Sequence, residues 1–149
     1  MDLRRQFPRS VREMLGGYVH LARMIDKCRA ARDGTLGEYI YPCPLDQRLL
    51  DFLGLSADQF LEAVDARSDE EIVSWVHQHA RFHTHEEREH WNAMMLALGP
   101  DTSEKWAFFT AIRDRLDARR TDIITWADLL DLEEQRPVPP RHQPQSDFS

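Results

Sequence analysis

A chain of 149 residues, 42% apolar and 30% charged, is long enough to bury roughly two thirds of its unfolded surface without a metal or disulfide staple. It has no apolar run near the ~18 residues of a membrane-crossing helix, and MDLRRQFPRS lacks the apolar stretch of a signal peptide. A soluble, cytoplasmic protein with no membrane partner is therefore expected. The formal net charge is −7, yet residues 1–32 carry eight basic against three acidic groups, leaving −12 on the remainder. A basic first segment lying on an acidic remainder fits that asymmetry better than a nucleic-acid surface does.

Residues 1–9 read as an N-terminal arm, with Phe7-Pro8 setting an extended approach. Ser10 followed by Glu13 has the spacing of a capping box, which predicts a helix over Ser10–Arg32 closed by Gly34. On it, Met14, Leu15, Tyr18, Val19, Leu21, Ala22, Met24, Ile25 and Cys28 cover an arc of roughly 220° at about 100° per residue. An arc that wide predicts a central helix gripped from several sides. Opposite it, Arg12, Gly16, His20, Arg23 and Lys27 form a narrow stripe, read first as solvated and second, through Arg23 and Lys27 with Asp26, as the polar floor of a pocket. Asp26 falls at the edge of the apolar arc, and Arg23 and Arg29, each three residues away, are its expected partners.

The loop DGTLGEYIYPCPLDQ is kept irregular by glycine and proline, and Tyr39, Ile40 and Tyr41 are expected to tuck inward. Pro44 then opens a helix over Leu45–Leu53 that Gly54 ends. Three further capping boxes, Ser56 with Gln59, Ser68 with Glu71 and Thr84 with Glu87, predict helices over Ala57–Ala66, Asp69–Ala80 and His85–Leu98. Ser103 opens Glu104–Ala118, and Thr125 with Asp128 opens a short last helix through Glu134. The tail RPVPPRHQPQSDFS reads as disordered. The fold class is all-α: a single compact domain over 10–135 of six or seven mostly short helices around the first, with a Pro-rich tail at 136–149.

Three constellations bear on chemistry. HQHARFHTHEEREHW places His79, His83, Glu87 and His90 at helical spacings, but no second Glu-x-x-His or HExxH accompanies them. A surface cluster is the better reading, and no metal is favoured. Cys43, between two prolines at a helix mouth, is a candidate nucleophile because a helix N-terminus favours the thiolate; no histidine lies nearby in sequence to act as its base. An inert, buried cysteine is the weightier reading there. Both Cys28 and Cys43 are expected to be free thiols. The four tryptophans, Trp75, Trp91, Trp106 and Trp126, fall one to each later helix and read as core.

The stretches PRSVREMLGGYVHLARMIDK, GTLGEYIYPCPLDQRLLDFLGL, DEEIVSWV, EREHWN and RTDIITWADLLDLEE resemble an uncharacterised bacterial family, domain of unknown function 5069, over about Leu3 to Glu134. The resemblance implies a small, mostly helical, soluble bacterial protein. It names no activity.

The first functional expectation is a ligand-binding or interaction module with a pocket between the first helix and the Tyr39–Asp46 loop. Arg23, Lys27, Tyr39 and Tyr41 would line it, and the basic groups favour an anionic small molecule. The second is a small enzyme at the same place, with Cys43 or Asp26 reactive and Tyr39 or Tyr41 as proton donor. The third is a metal-binding protein using His79, His83, Glu87 and His90. No cofactor is required by the sequence, and a homodimer is compatible with the size but has no residues assigned to it.

Overall fold

The computed structural model describes residues 1–141. Its described residues form seven helices: α1 (Leu21–Asp33), α2 (Pro44–Leu53), α3 (Ala57–Val64), α4 (Asp69–His79), α5 (His85–Ala97), α6 (Ser103–Asp117) and α7 (Trp126–Glu133). The all-α expectation holds, with one isolated bridge, Leu15 to Tyr18, as the extended pairing seen. Two compact units divide the chain, Met1–Ala93 and Met94–Ser149.

In the first unit, α1 is the centre. Leu21, Ala22, Met24, Ile25 and Cys28 are inaccessible to solvent, and α1 packs on α3, which packs on α4. The punctuation from Ser56 onward works as read. Ser56 and Ser68 each accept from the third residue of the helix they open, and Gln59 and Glu71 reach back. These reciprocal bonds satisfy backbone donors that the first turn orphans.

The start of α1 corrects the expectation, because the helix begins at Leu21 and not at Ser10. Gly16 and Gly17 have φ of +61° and +89°, and Leu15 and Tyr18 exchange both backbone hydrogen bonds at 3.0 Å around them. That is a two-residue hairpin turn of the primed kind, which needs positive φ at both central residues. The glycine pair therefore serves a turn that stops any helix from passing through it. Ser10 correspondingly closes a local turn: its carbonyl accepts from the Glu13 amide and its hydroxyl from the Arg12 amide. Asn92 clamps the hairpin, accepting from the Val19 amide at 3.1 Å and donating to the Gly17 carbonyl at 2.9 Å.

The arm is docked. Leu3 is buried and its amide donates to Thr35. In the loop before α2, Tyr39 and Tyr41 are half-buried, whereas Ile40, expected to tuck inward, is 69% exposed.

In the second unit, α6 packs on α7 around Phe109, Ile123 and Leu129. Thr102 and Thr125 cap the two helices through the Lys105 and Asp128 amides. The tail expected to be disordered from 136 is held down through Arg141. Val138 packs on the apolar cluster, the Arg120 guanidinium donates to the Val138 carbonyl at 2.8 Å, and Arg141 grips the buried Asp128 at 2.8 Å. Residues 142–149 of that tail lie outside the described residues. Of the four tryptophans, Trp91 is buried, Trp75 and Trp126 are half-buried, and Trp106 is 41% exposed, stacked on Phe109.

Candidate functional site

Of the stripe expected to face water, Arg12 is exposed, but His20, Arg23 and Lys27 are buried, at 0%, 3% and 3% exposure. His20 and Lys27 lie seven residues apart, on one side of α1, and both reach a carboxylate carried by α2. Asp46 accepts from the Lys27 ammonium at 2.6 Å through Oδ2, and its Oδ1 lies 2.7 Å from Nε2 of His20. Its Oδ2 also accepts from the backbone amide of Cys43 at 3.0 Å. Asp46 is the third residue of α2 and Cys43 its cap, so this last contact is the back half of a capping box with cysteine in place of serine. The sequence shows that spacing. It gave no sign that the same carboxylate would collect a lysine and a histidine from α1.

Charge is settled by the partners. Burial alone would raise the Asp46 carboxyl, but the hydrogen bond from His20, the Lys27 charge and the Cys43 amide outweigh it and hold the carboxyl below its ordinary range. Burial pushes His20 the other way, against the imidazolium, with the Lys27 and Arg23 charges adding to the effect and Asp46 opposing it. The hydrogen-bond geometry agrees with a neutral ring: Nδ1 of His20 is buried with no partner among the described residues, and a second N–H there would be an unsatisfied buried donor. Donation to the ionised Asp46 carboxylate makes the neutral ring the Nε2–H tautomer, with Nδ1 its acceptor nitrogen. Its backbone is left-handed, φ +69°, a conformation that costs a non-glycine residue about 1–2 kcal/mol. Strain of this kind persists where surrounding structure fixes the residue, and functional sites are where it collects.

Beside this pair sits Cys43, half-buried and unbridged. Its sulfur, a ring nitrogen of His20 and a carboxylate oxygen of Asp46 all lie within 4.8 Å of one another. The fold thereby supplies the histidine that the sequence did not place near Cys43. Cysteine, histidine and carboxylate are also metal-ligand types. Here the Lys27 ammonium already occupies Asp46 and Asp46 already holds His20, so a cation at this point must displace a buried lysine.

The other candidates are accounted for individually. Asp26 meets neither Arg23 nor Arg29: Arg9, from the arm, binds it with both prongs at 3.1 Å and with its backbone amide at 2.8 Å. The same guanidinium reaches Asp69 at the start of α4 at 2.7 Å, where Arg29 joins at 2.9 Å. Arg23 donates to the Arg9 carbonyl at 3.2 Å and lies 5.7 Å over the Tyr39 ring. Tyr41 donates to the Ala57 carbonyl at 2.8 Å and lies beside the Cys28 thiol. Burial pushes that thiol up to about 12 and the Tyr41 hydroxyl far above its usual range, so neither gives up a proton near neutral pH. His79 bonds the Trp75 carbonyl and His83 the Phe52 carbonyl, Glu87 caps the Thr84 amide, and His90 is exposed. Those four do not form a ligand cluster among the described residues; the cluster found is His20, Cys43 and Asp46.

A mostly helical chain organised around a buried ion cluster is the class this geometry defines. The family described as domain of unknown function, DUF5069, matches residues 5–136, and the chain belongs to that family. A search of curated proteins finds no match. No helix among the described residues is long and apolar enough to cross a membrane.

Proposed function

We propose that the chain is a small enzyme in which Cys43 is the nucleophile, His20 its base and Asp46 the group that fixes the base. The convergence of a thiol sulfur, a ring nitrogen and a carboxylate oxygen within 4.8 Å, with one imidazole nitrogen unpartnered among the described residues, supports this reading. A weak nucleophile activated by a base that a third group orients is the general pattern of covalent catalysis. Each residue then has one task. The imidazole takes the thiol proton as the sulfur bonds to an electrophilic carbon of a small substrate. The leaving group departs with the electron pair of the broken bond and receives that proton back. Asp46 holds the tautomer and stabilises the imidazolium while it exists, and Lys27 balances Asp46, so that the ionised carboxylate stays affordable in a buried place.

This reading ranks above the anionic-ligand module because the basic groups of that pocket are engaged within the fold, Lys27 by Asp46 and Arg23 by Arg9. The test is the rate of Cys43 alkylation by iodoacetamide at pH 7, followed by intact mass. Cys43 is expected to react about tenfold faster than free cysteine, and His20→Gln to remove the excess, with Cys28 silent in the folded protein. A Cys43 rate equal to free cysteine sinks the proposal. Stoichiometric transition metal on untagged protein, lost in Cys43→Ser, would replace it with a metal site.

A further inference from the structure

Helix α6 carries a phenylalanine on each of two opposite sides. Its inner side carries Phe109 and Arg113, both buried. The opposite side presents Glu104, Phe108, Ala111 and Arg115, all exposed, with Phe108 62% exposed. Their spacing of four, three and four residues is the seam of a helix that packs along another helix. Phe108, with Ala107 also exposed beside it, puts an aromatic ring in water at the middle of that seam.

The ends of the seam say what fits it. Glu104 and Arg115 make no hydrogen bond or ion pair among the described residues, whereas their neighbours Lys105 and Asp114 are engaged by Asp101 and Arg113. We infer that the occupant is α6 of a second copy of this chain, packed antiparallel about a two-fold axis between residues 109 and 110. In that register Glu104 faces Arg115 of the second copy, Phe108 faces Ala111, and each contact occurs twice, as an isologous interface requires. Large faces small at the centre, and opposite charges meet at both ends. A parallel pairing puts Glu104 against Glu104 and Arg115 against Arg115, and so is disfavoured by the same residues that favour the antiparallel one. The seam is about 17 Å long at 1.5 Å per residue, which places the dimer in the small, concentration-dependent class.

Sedimentation velocity on the full chain from about 1 to 200 μM tests this. The wild type is expected to shift from monomer to dimer across the range, and Phe108→Glu to remain monomeric. Glu104→Arg or Arg115→Glu alone turns both end pairs repulsive and is expected to weaken association about tenfold, equivalent to about 1.4 kcal/mol. The double reversal, Glu104→Arg with Arg115→Glu, restores two attractive pairs and is expected to recover wild-type association. All three positions changed are exposed, and helical circular dichroism checks that each variant folds. A wild type monomeric throughout overturns the inference. So does a dimer indifferent to the single reversals, or a double reversal no better than the singles.

Discussion

Two carboxylates lie at equal depth, Asp26 on α1 itself and Asp46 reaching α1 from α2, at 1% and 0% exposure, and the fold treats them in opposite ways. Asp26 is given an arginine: a permanently charged fork that binds both oxygens, with the Arg9 amide added and the guanidinium still 26% exposed. Asp46 is given a lysine and a histidine, 3% and 0% exposed. The planar fork suits a fixed joint, since it is pre-organised and always charged. Lysine and histidine suit a place where proton positions matter. The first cluster ties the arm to α1 and to α4 through Asp69; the second sits beside the half-buried thiol. The arginine cluster is therefore read as architecture and the lysine–histidine cluster as chemistry.

Removing one partner from each cluster should expose the contrast. Lys27→Met leaves Asp46 as a buried carboxylate with neutral hydrogen bonds alone. The expected loss is about 3–5 kcal/mol of unfolding free energy, read by urea denaturation. Adding Asp46→Leu to that variant should return much of the loss, because an apolar pair of similar volume tolerates burial. A loss below about 1 kcal/mol for Lys27→Met would mean that the lysine does not balance Asp46. Asp26→Asn, at the other cluster, is milder. Arg9 keeps Asp69 and part of its hydration, so about 1–2 kcal/mol is expected for the lost charge-assisted bonds. A cost equal to that of Lys27→Met would erase the distinction between the clusters.

The arginine cluster also shows where sequence reading reached its limit. Every helix from α2 onward was legible, because caps such as Ser56 with Gln59 and Ser68 with Glu71 act within four residues. The Ser10 box had the same letters and failed, since Gly16 and Gly17, about two helical turns later, were needed for a hairpin held by Asn92, more than seventy residues away. The partner of Asp26 was sought at helical spacing and lay in the arm. Cys43 and Lys27 were visible as candidates; His20 was placed in a solvated stripe, because a helix drawn from Ser10 puts it there. Once α1 begins at Leu21, His20 becomes the residue that caps it, and its ring turns to Asp46. Local signals were readable. The site is made by contacts spanning nineteen and twenty-six residues, which no local spacing encodes.

The smallest expected effect separates the clusters by pH. Within the second cluster, burial depresses the folded-state value of His20 below its ordinary one, so the unfolded chain takes up a proton there first. Stability from this group is then fully present above the ordinary histidine value of about 6.5 and is lost as pH falls from there through the folded value. Asp46 is also depressed, and its contribution fades only in stronger acid, below the ordinary carboxylate range; Asp69, lowered chiefly by its hydrogen bond from Arg9, follows the same acid-side sign. Between pH 7 and 5 the slope of unfolding free energy should thus carry a His20 component of at most about 1.4 kcal/mol per pH unit. His20→Gln should flatten that slope, while Asp26→Asn should leave it parallel to wild type because its partner is an arginine. Urea midpoints collected across this range decide the matter. If Asp26→Asn flattens the slope and His20→Gln does not, the proton-sensitive cluster has been assigned to the wrong carboxylate, and the case for His20 as a neutral base beside Cys43 falls with it.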